Sequence, residues 1–276
     1  MPSKFQRLNS EDIAVTRTLL HESIPLTGTI VSGTYSEANI KDFSHGMFQA
    51  VYDYPYLSSS ANHIFDISVG YHSSSPLSGA ASIQNSKKIN IYNQFAQLLV
   101  GYDTTGSVRL FDKDGDLSSG TKHKSMVFLS FSRLLVKDEI KKGSFTMKIG
   151  TGSYGALKAN FRKPASGSPA NGPAIVTITD VDAQNQYKIN SPAGEYGLLM
   201  AQSSSVYNTN KAVGLIFYQA GVVALTSSVF VKSGSADNTG FFTSKTYAEY
   251  ITGSSISGAC DVIRSRIQDI TFNNTT

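Results

Sequence analysis

Tryptophan is absent from this chain and cysteine occurs once, at Cys260. A lone cysteine excludes an internal disulfide framework and any metal site built on paired cysteines, and its expected state is a buried thiol. Charge is scarce as well. Asp, Glu, Lys and Arg together make up 16% of the residues, against about a quarter in an ordinary soluble domain. Long apolar runs are missing too, so no segment approaches the length of a membrane span, and the start, MPSKFQRLNSEDIAV, has no apolar core of a secretory signal. Membrane insertion is therefore not expected, and synthesis in a reducing cytoplasm is.

What fills the space left by charge is Ser, Thr, Gly and Asn, together with 14 Tyr and 15 Phe. Aromatic residues interleaved with hydroxyls favour strands over helices. A weakly charged, Tyr-rich surface also suits contact faces that lose their water, because interface cores are depleted in charge and enriched in Tyr. The net charge of +4 is spread along the chain, and its densest basic group, Lys137 to Lys142, carries its own acids. No patch of the kind that binds nucleic acid is expected from that distribution.

Hydrophobic periodicity predicts a mainly β protein of antiparallel, sandwich-like sheets with a few short helices. Phe65, Ile67 and Val69 alternate with Asp66 and Ser68, the pattern of a half-buried strand. Val127, Leu129 and Phe131 repeat it, as do Phe145, Met147 and Ile149. The polar link KDEIKKG between those two runs is expected to be a turn. A helix is predicted around 87–100, capped by Asn85 or Ser86, with Ile89, Tyr92, Phe95, Ala96 and Leu99 at steps of three and four and Gly101 as its stop. Val213 to Phe217 and Val222 to Phe230 read as a central hairpin turning at Gly221. A short helix leading into a strand is expected between Ile256 and Phe272. The whole, 1–276, reads as one β-rich domain, and the loop PASGSPANGP at 164–173 marks an insertion or a subdomain boundary.

Each motif with chemical potential lacks something. Gly150, Gly152 and Gly155 form G-x-G-x-x-G after a predicted strand, with Asp180 downstream. A dinucleotide fold, however, wants a first strand that is apolar on both faces, and Thr146 and Lys148 interrupt this one. Asp112, Asp114 and Asp116 are spaced as in a calcium loop, but the sixth and twelfth positions, normally glycine and glutamate, hold Leu117 and His123. A solvated acidic turn is the expectation there. His21, His45, His63, His72 and His123 are scattered without metal-binding spacing, and no serine lies in a G-x-S-x-G elbow. No catalytic, cofactor or metal residue is predicted, and the chain is not expected to be an enzyme. The alternating Tyr52, Tyr54 and Tyr56 about Pro55, an edge strand or packing loop, are the candidate assembly contacts.

Several long runs carry a resemblance. FLSFSRLLVKDEIKKGSFTMKIGTG (Phe128 to Gly152), with EYGLLM and VGLIFYQAGVVALTSSVF between Glu195 and Phe230, resembles an uncharacterised virion structural family of tailed bacteriophages, found among T4-like marine myophages. TRTLLHESIPLTGTIVSGTY, HGMFQAVYDYPYLSSSANHIFDISVGY and the ending CDVIRSRIQDITFNNTT are similar to the same family, so nearly the whole chain is covered. The resemblance implies a tail or baseplate component located in the virion, with other virion structural proteins and copies of itself as partners. It transfers no catalytic residue, and it implies a chain that continues beyond Thr276. The alternative expectation is an adhesin that recognises host surface glycans.

Overall fold

Alternating apolar residues require a sheet with something packed on it, and here the sheet supplies much of that packing by rolling upon itself. The computed structural model describes residues 23–25, 37–131, 139–150, 175–202, 211–231 and 248–275. The strands in chain order are β1 (Ser23–Pro25), β2 (Ile40–Asp42), β3 (Gln49–Tyr52), β4 (His63–Tyr71), β5 (Phe111–Asp112), β6 (Lys122–His123), β7 (Ser125–Ser130) and β8 (Glu139–Ile140). They continue with β9 (Thr146–Gly150), β10 (Ile175–Thr179), β11 (Lys188–Ser191), β12 (Gly194–Gln202), β13 (Lys211–Phe217), β14 (Val222–Thr226) and β15 (Ile267–Thr275). Among the described residues three α-helices accompany them: α1 (Asn85–Leu99), α2 (Ala183–Gln186) and α3 (Ile256–Arg264).

The protein is mainly β. Thirteen strands form one antiparallel sheet whose main path runs β1-β15-β9-β10-β12-β13-β14-β7-β4-β3-β2; β11 adds to β12 and β8 to β15, while β5 and β6 make a separate ribbon. Phe131, just past β7, meets Phe272 of β15 at 5.6 Å and Phe145, just before β9, at 6.3 Å between ring centroids. Those partners lie on the far arm of the strand order, so the sheet must curl until its arms face each other. The predicted hairpin sits at the middle of the path, with Phe217 opposite Val222 and Gly221 in the left-handed region at φ 62°. All five residues of β14 are buried.

Strand β4 differs from its half-buried expectation. Phe65 lies beside Phe131, its neighbour on the adjoining strand, on the interior face, while the alternate face of β4, which carries Ser68 and Gly70, is covered by α1. The helix comes close enough that a Cβ on Gly70 would lie 2.7 Å from both the Lys88 carbonyl and the Tyr92 amide nitrogen. Ile91, Tyr92, Ala96 and Leu99 are buried, whereas Ile89 and Phe95 are half-buried.

The caps also differ from expectation. Gln84 takes the cap position of α1 at φ 54° with no side-chain capping bond, because Asn85 instead accepts from the Tyr71 hydroxyl at 2.8 Å. Gln84 Oε1 accepts from the Ile256 amide at 2.8 Å, so it serves the start of α3, whose own cap is Ser255. Gly101 holds the expected left-handed stop at φ 75°. The link predicted as a turn contains β8, which pairs with β15. Loop 164–173 lies outside the described residues; the strands on either side of it, β9 and β10, are antiparallel neighbours.

Candidate functional site

The short strand β2 ends one side of the main sheet path, and the segment after it, Phe43 to Phe48, turns on Gly46 at φ 62°. That turn folds three rings together. Phe43 stacks on His45 at 5.2 Å and 7°, and Phe48 tilts against both. Lys41 of β2 stands 5.0 Å from the Phe43 ring and 6.0 Å from Tyr56, inside cation–π range. Tyr56 in turn lies 6.3 Å from Tyr52. An aromatic band therefore runs from His45 to the tyrosine strip.

The three predicted tyrosines have separate roles within this band. Tyr52 ends β3, an interior strand between β2 and β4, and is half-buried with its ring edge-on to His63 at 5.4 Å. Tyr54 and Tyr56 occupy the turn that follows, 55% and 36% exposed, beside Leu57 at 86%. Asp53 fixes this turn by accepting from the amides of Tyr54 (2.8 Å) and Asn62 (2.6 Å). The sequence pattern does not mark Lys41, Phe43, His45 and Phe48 as a group, since they meet only once β2 and β3 are paired about Gly46.

Behind the band opens a cleft of about 360 Å³ between α1 and the outer face of β4 and β7. Phe48, Phe95 and Phe128 supply apolar walls, and Asp66, Gln94 and Ser130 supply polar ones. Asp66 is 2.7 Å from His63 Nε2. An apolar cleft with a few converging polar groups can hold a small ligand or an inserted side chain.

Other sequence candidates are engaged structurally. Cys260 is buried, its thiol donates to the Ile67 carbonyl at 3.4 Å, and burial pushes its pKa up, away from the reactive thiolate. Asp180 accepts from the amides of Gly143 (2.8 Å) and Phe145 (2.9 Å) and from the Tyr218 hydroxyl (3.0 Å), which makes it a buried fastener for the chain before β9. Gly150 ends β9, while Gly152 and Gly155 lie outside the described residues. The antiparallel pairing of β9 with β10 is not the parallel crossover that a dinucleotide unit builds. From the basic group, Lys142 bonds Glu139 and Glu195. Among the described residues, no helix is long and apolar enough to cross a membrane.

The β5–β6 ribbon places Asp112, Asp114 and Asp116 together, with Asp112 buried. His123, on the same ribbon, is buried beside Tyr92, whose hydroxyl donates to the His123 carbonyl at 2.6 Å. Burial first, and Lys113 second, lower the His123 pKa from 6.5 to about 4. Between those two values the unfolded chain binds a proton that the folded chain refuses, so stability is present above pH 6.5 and declines as pH falls toward 4. The expected loss is roughly 3 kcal/mol, at 1.36 kcal/mol for each pKa unit. Denaturant midpoints across this window for the native chain and for His123→Leu check it: the native curve should fall with acid relative to the variant, and parallel curves would contradict the assignment.

Compared with models of protein families, with curated proteins and with solved structures, the chain matches none.

Proposed function

We propose that this chain is a non-enzymatic structural subunit of a bacteriophage particle, a tail or baseplate component that works through protein–protein contacts. The observation that carries the contact role is the exposed aromatic band at the end of the sheet path, where Tyr54, Tyr56 and Leu57 are exposed and Lys41 links the Tyr56 ring to the Phe43–His45 stack. Tyrosine contributes a large rigid surface with a polar tip, which is why it anchors interfaces. Symmetry repeats one such contact around a particle. The phage assignment rests on the family-like runs that cover most of the sequence. Its partners are other virion proteins and copies of itself, without direct nucleic-acid contact, and its location is the virion.

Tyr54→Ser combined with Tyr56→Ser and Leu57→Ser tests the reading, because these side chains project outward and their loss spares the core. Incorporation into particles, measured by quantitative immunoblot of purified virions, is expected to drop at least about tenfold, the equivalent of 1.4 kcal/mol at each contact. Unchanged incorporation would remove the band from the interface. The cleft favours one second reading, an adhesin, since aromatic walls with Asp66, Gln94 and Ser130 offer the stacking and hydrogen bonding that sugars use. Saturable binding on a glycan array that is lost in Phe48→Ala would support it.

A further inference from the structure

The loop from Asp112 to Lys122 brings one carboxylate oxygen from each of Asp112, Asp114 and Asp116 within 4.8 Å of the others. Acidic turns of this kind are common in water. What sets this one apart is Asp112. Its side chain is fully buried; Lys122 Nζ holds Oδ2 at 2.6 Å, and Oδ1 has no hydrogen-bond partner. The orphaned oxygen points into the cluster: a Cβ placed on Gly120 would lie 3.9 Å from Asp112 Oδ1 and 3.1 Å from Asp114 Oδ2, so both oxygens border the same gap. A buried acceptor without a donor marks a missing water or ion.

The charge balance points to a divalent ion, because three carboxylates facing one ammonium leave two negative charges. The backbone is compatible. Leu117, which stands where calcium loops carry glycine, adopts the left-handed conformation at φ 59°, and Gly115 does so at φ 70°. The objection raised by that leucine is therefore met by the fold. The twelfth position still departs from the calcium-loop pattern, since His123 pairs with Phe111 across the ribbon.

We propose that Asp112, Asp114 and Asp116 form a calcium site that ties the β5–β6 loop to the main sheet. Calcium accepts oxygen ligands in irregular, partly hydrated loops, whereas magnesium demands a near-ideal octahedron. Lacking the bidentate glutamate, the site has an affinity on the order of 10⁻⁴–10⁻³ M, the range of extracellular modules. The tie reaches the sheet through two bonds: Tyr196 of β12 donates to the Gly115 carbonyl at 2.7 Å, and Asn190 of β11 donates to the Asp116 carbonyl at 3.0 Å.

Tyr196 also makes the test direct, because a lanthanide in this loop lies beside a tyrosine in a chain without tryptophan. Terbium titrated into the full chain is expected to give saturable tyrosine-sensitised emission that calcium displaces. Calcium should raise the melting temperature, and EDTA should reverse the rise. Asp114 is exposed, so Asp114→Asn should keep the circular dichroism spectrum and the melting temperature in EDTA while weakening terbium and calcium binding at least about tenfold. Asp182→Asn, in the exposed turn before α2, should bind as the native chain does. Absence of both saturable emission and a calcium-dependent melting shift up to about 10 mM, well above the expected dissociation constant, would overturn the site. Native-like binding by Asp114→Asn would do the same, and displacement by magnesium as effective as by calcium would overturn the choice of ion.

Discussion

Phe131→Ala is expected to destabilise the fold by about 3–5 kcal/mol, the range for removing a fully buried phenylalanine. The ring is completely buried and meets Phe65 at 5.8 Å, Phe272 at 5.6 Å and Phe145 at 6.3 Å. Those partners belong to β4, to β15 and to the entry of β9. One truncation therefore opens a cavity at the seam where the two arms of the rolled sheet face each other. Collapse cannot readily fill that cavity, since backbone hydrogen bonding holds each arm in its own register. Urea unfolding of the variant, with Leu98→Ala as a surface control, checks this. Leu98 is 61% exposed, and its truncation should change stability by less than about 0.5 kcal/mol. Equal midpoints for the two variants would mean that the seam is not what closes the sheet.

Lys88→Met is expected to cost a similar amount, again about 3–5 kcal/mol, by a different route. Lys88 is fully buried in α1, and its ammonium donates to the carbonyls of Ile83 (2.7 Å), Ser254 (2.7 Å) and Ile251. Burial pushes its pKa down to about 8, so the charged form still prevails at neutral pH. Methionine fills the volume but removes the three bonds, and each charge-assisted bond contributes about 1.5–3 kcal/mol before the relief of burying one charge fewer. The adjacent Lys87 reaches only the His45 carbonyl at an exposed site, so Lys87→Met should shift stability by no more than about 0.5 kcal/mol. Thermal unfolding of the two methionine variants side by side isolates the buried position, and similar melting temperatures would contradict the anchoring role.

These two residues show where sequence reading succeeds and where it stops. Phe131 was legible as a core residue, because Val127, Leu129 and Phe131 share one strand face whatever that strand packs against. Lys88 was not. A lysine at the start of an amphipathic helix ordinarily reaches solvent, and nothing nearby in sequence announces that carbonyls some 163 and 166 residues away will enclose it. The tyrosine strip was visible as a pattern, yet its division into a half-buried Tyr52 and exposed Tyr54 and Tyr56 follows from where β3 ends. The acidic triplet has the spacing of a calcium loop in the sequence, where Leu117 and His123 break the pattern. The left-handed turn at Leu117 and the burial of Asp112 are products of the folded ribbon.

Taken by itself, the sequence determined the mainly β class, the extent of β4, the hairpin of β13 and β14 about Gly221, the helix at α1 and the succession of α3 and β15. Each of these depends on hydrophobic period and glycine placement within a dozen or so residues. It did not determine that the second strand of the hairpin stops at Thr226 and gives way to a 3-10 turn at Ser227–Phe230. The tertiary structure alone decided that the sheet rolls until Phe131 meets Phe272, that α1 covers the second face of β4, and that Gln84 serves α3 instead of its own helix. It also decided which acids converge and which aromatic rings remain outside. Such contacts join segments far apart in the chain, and their energies depend on burial and approach distance, which local periodicity does not encode.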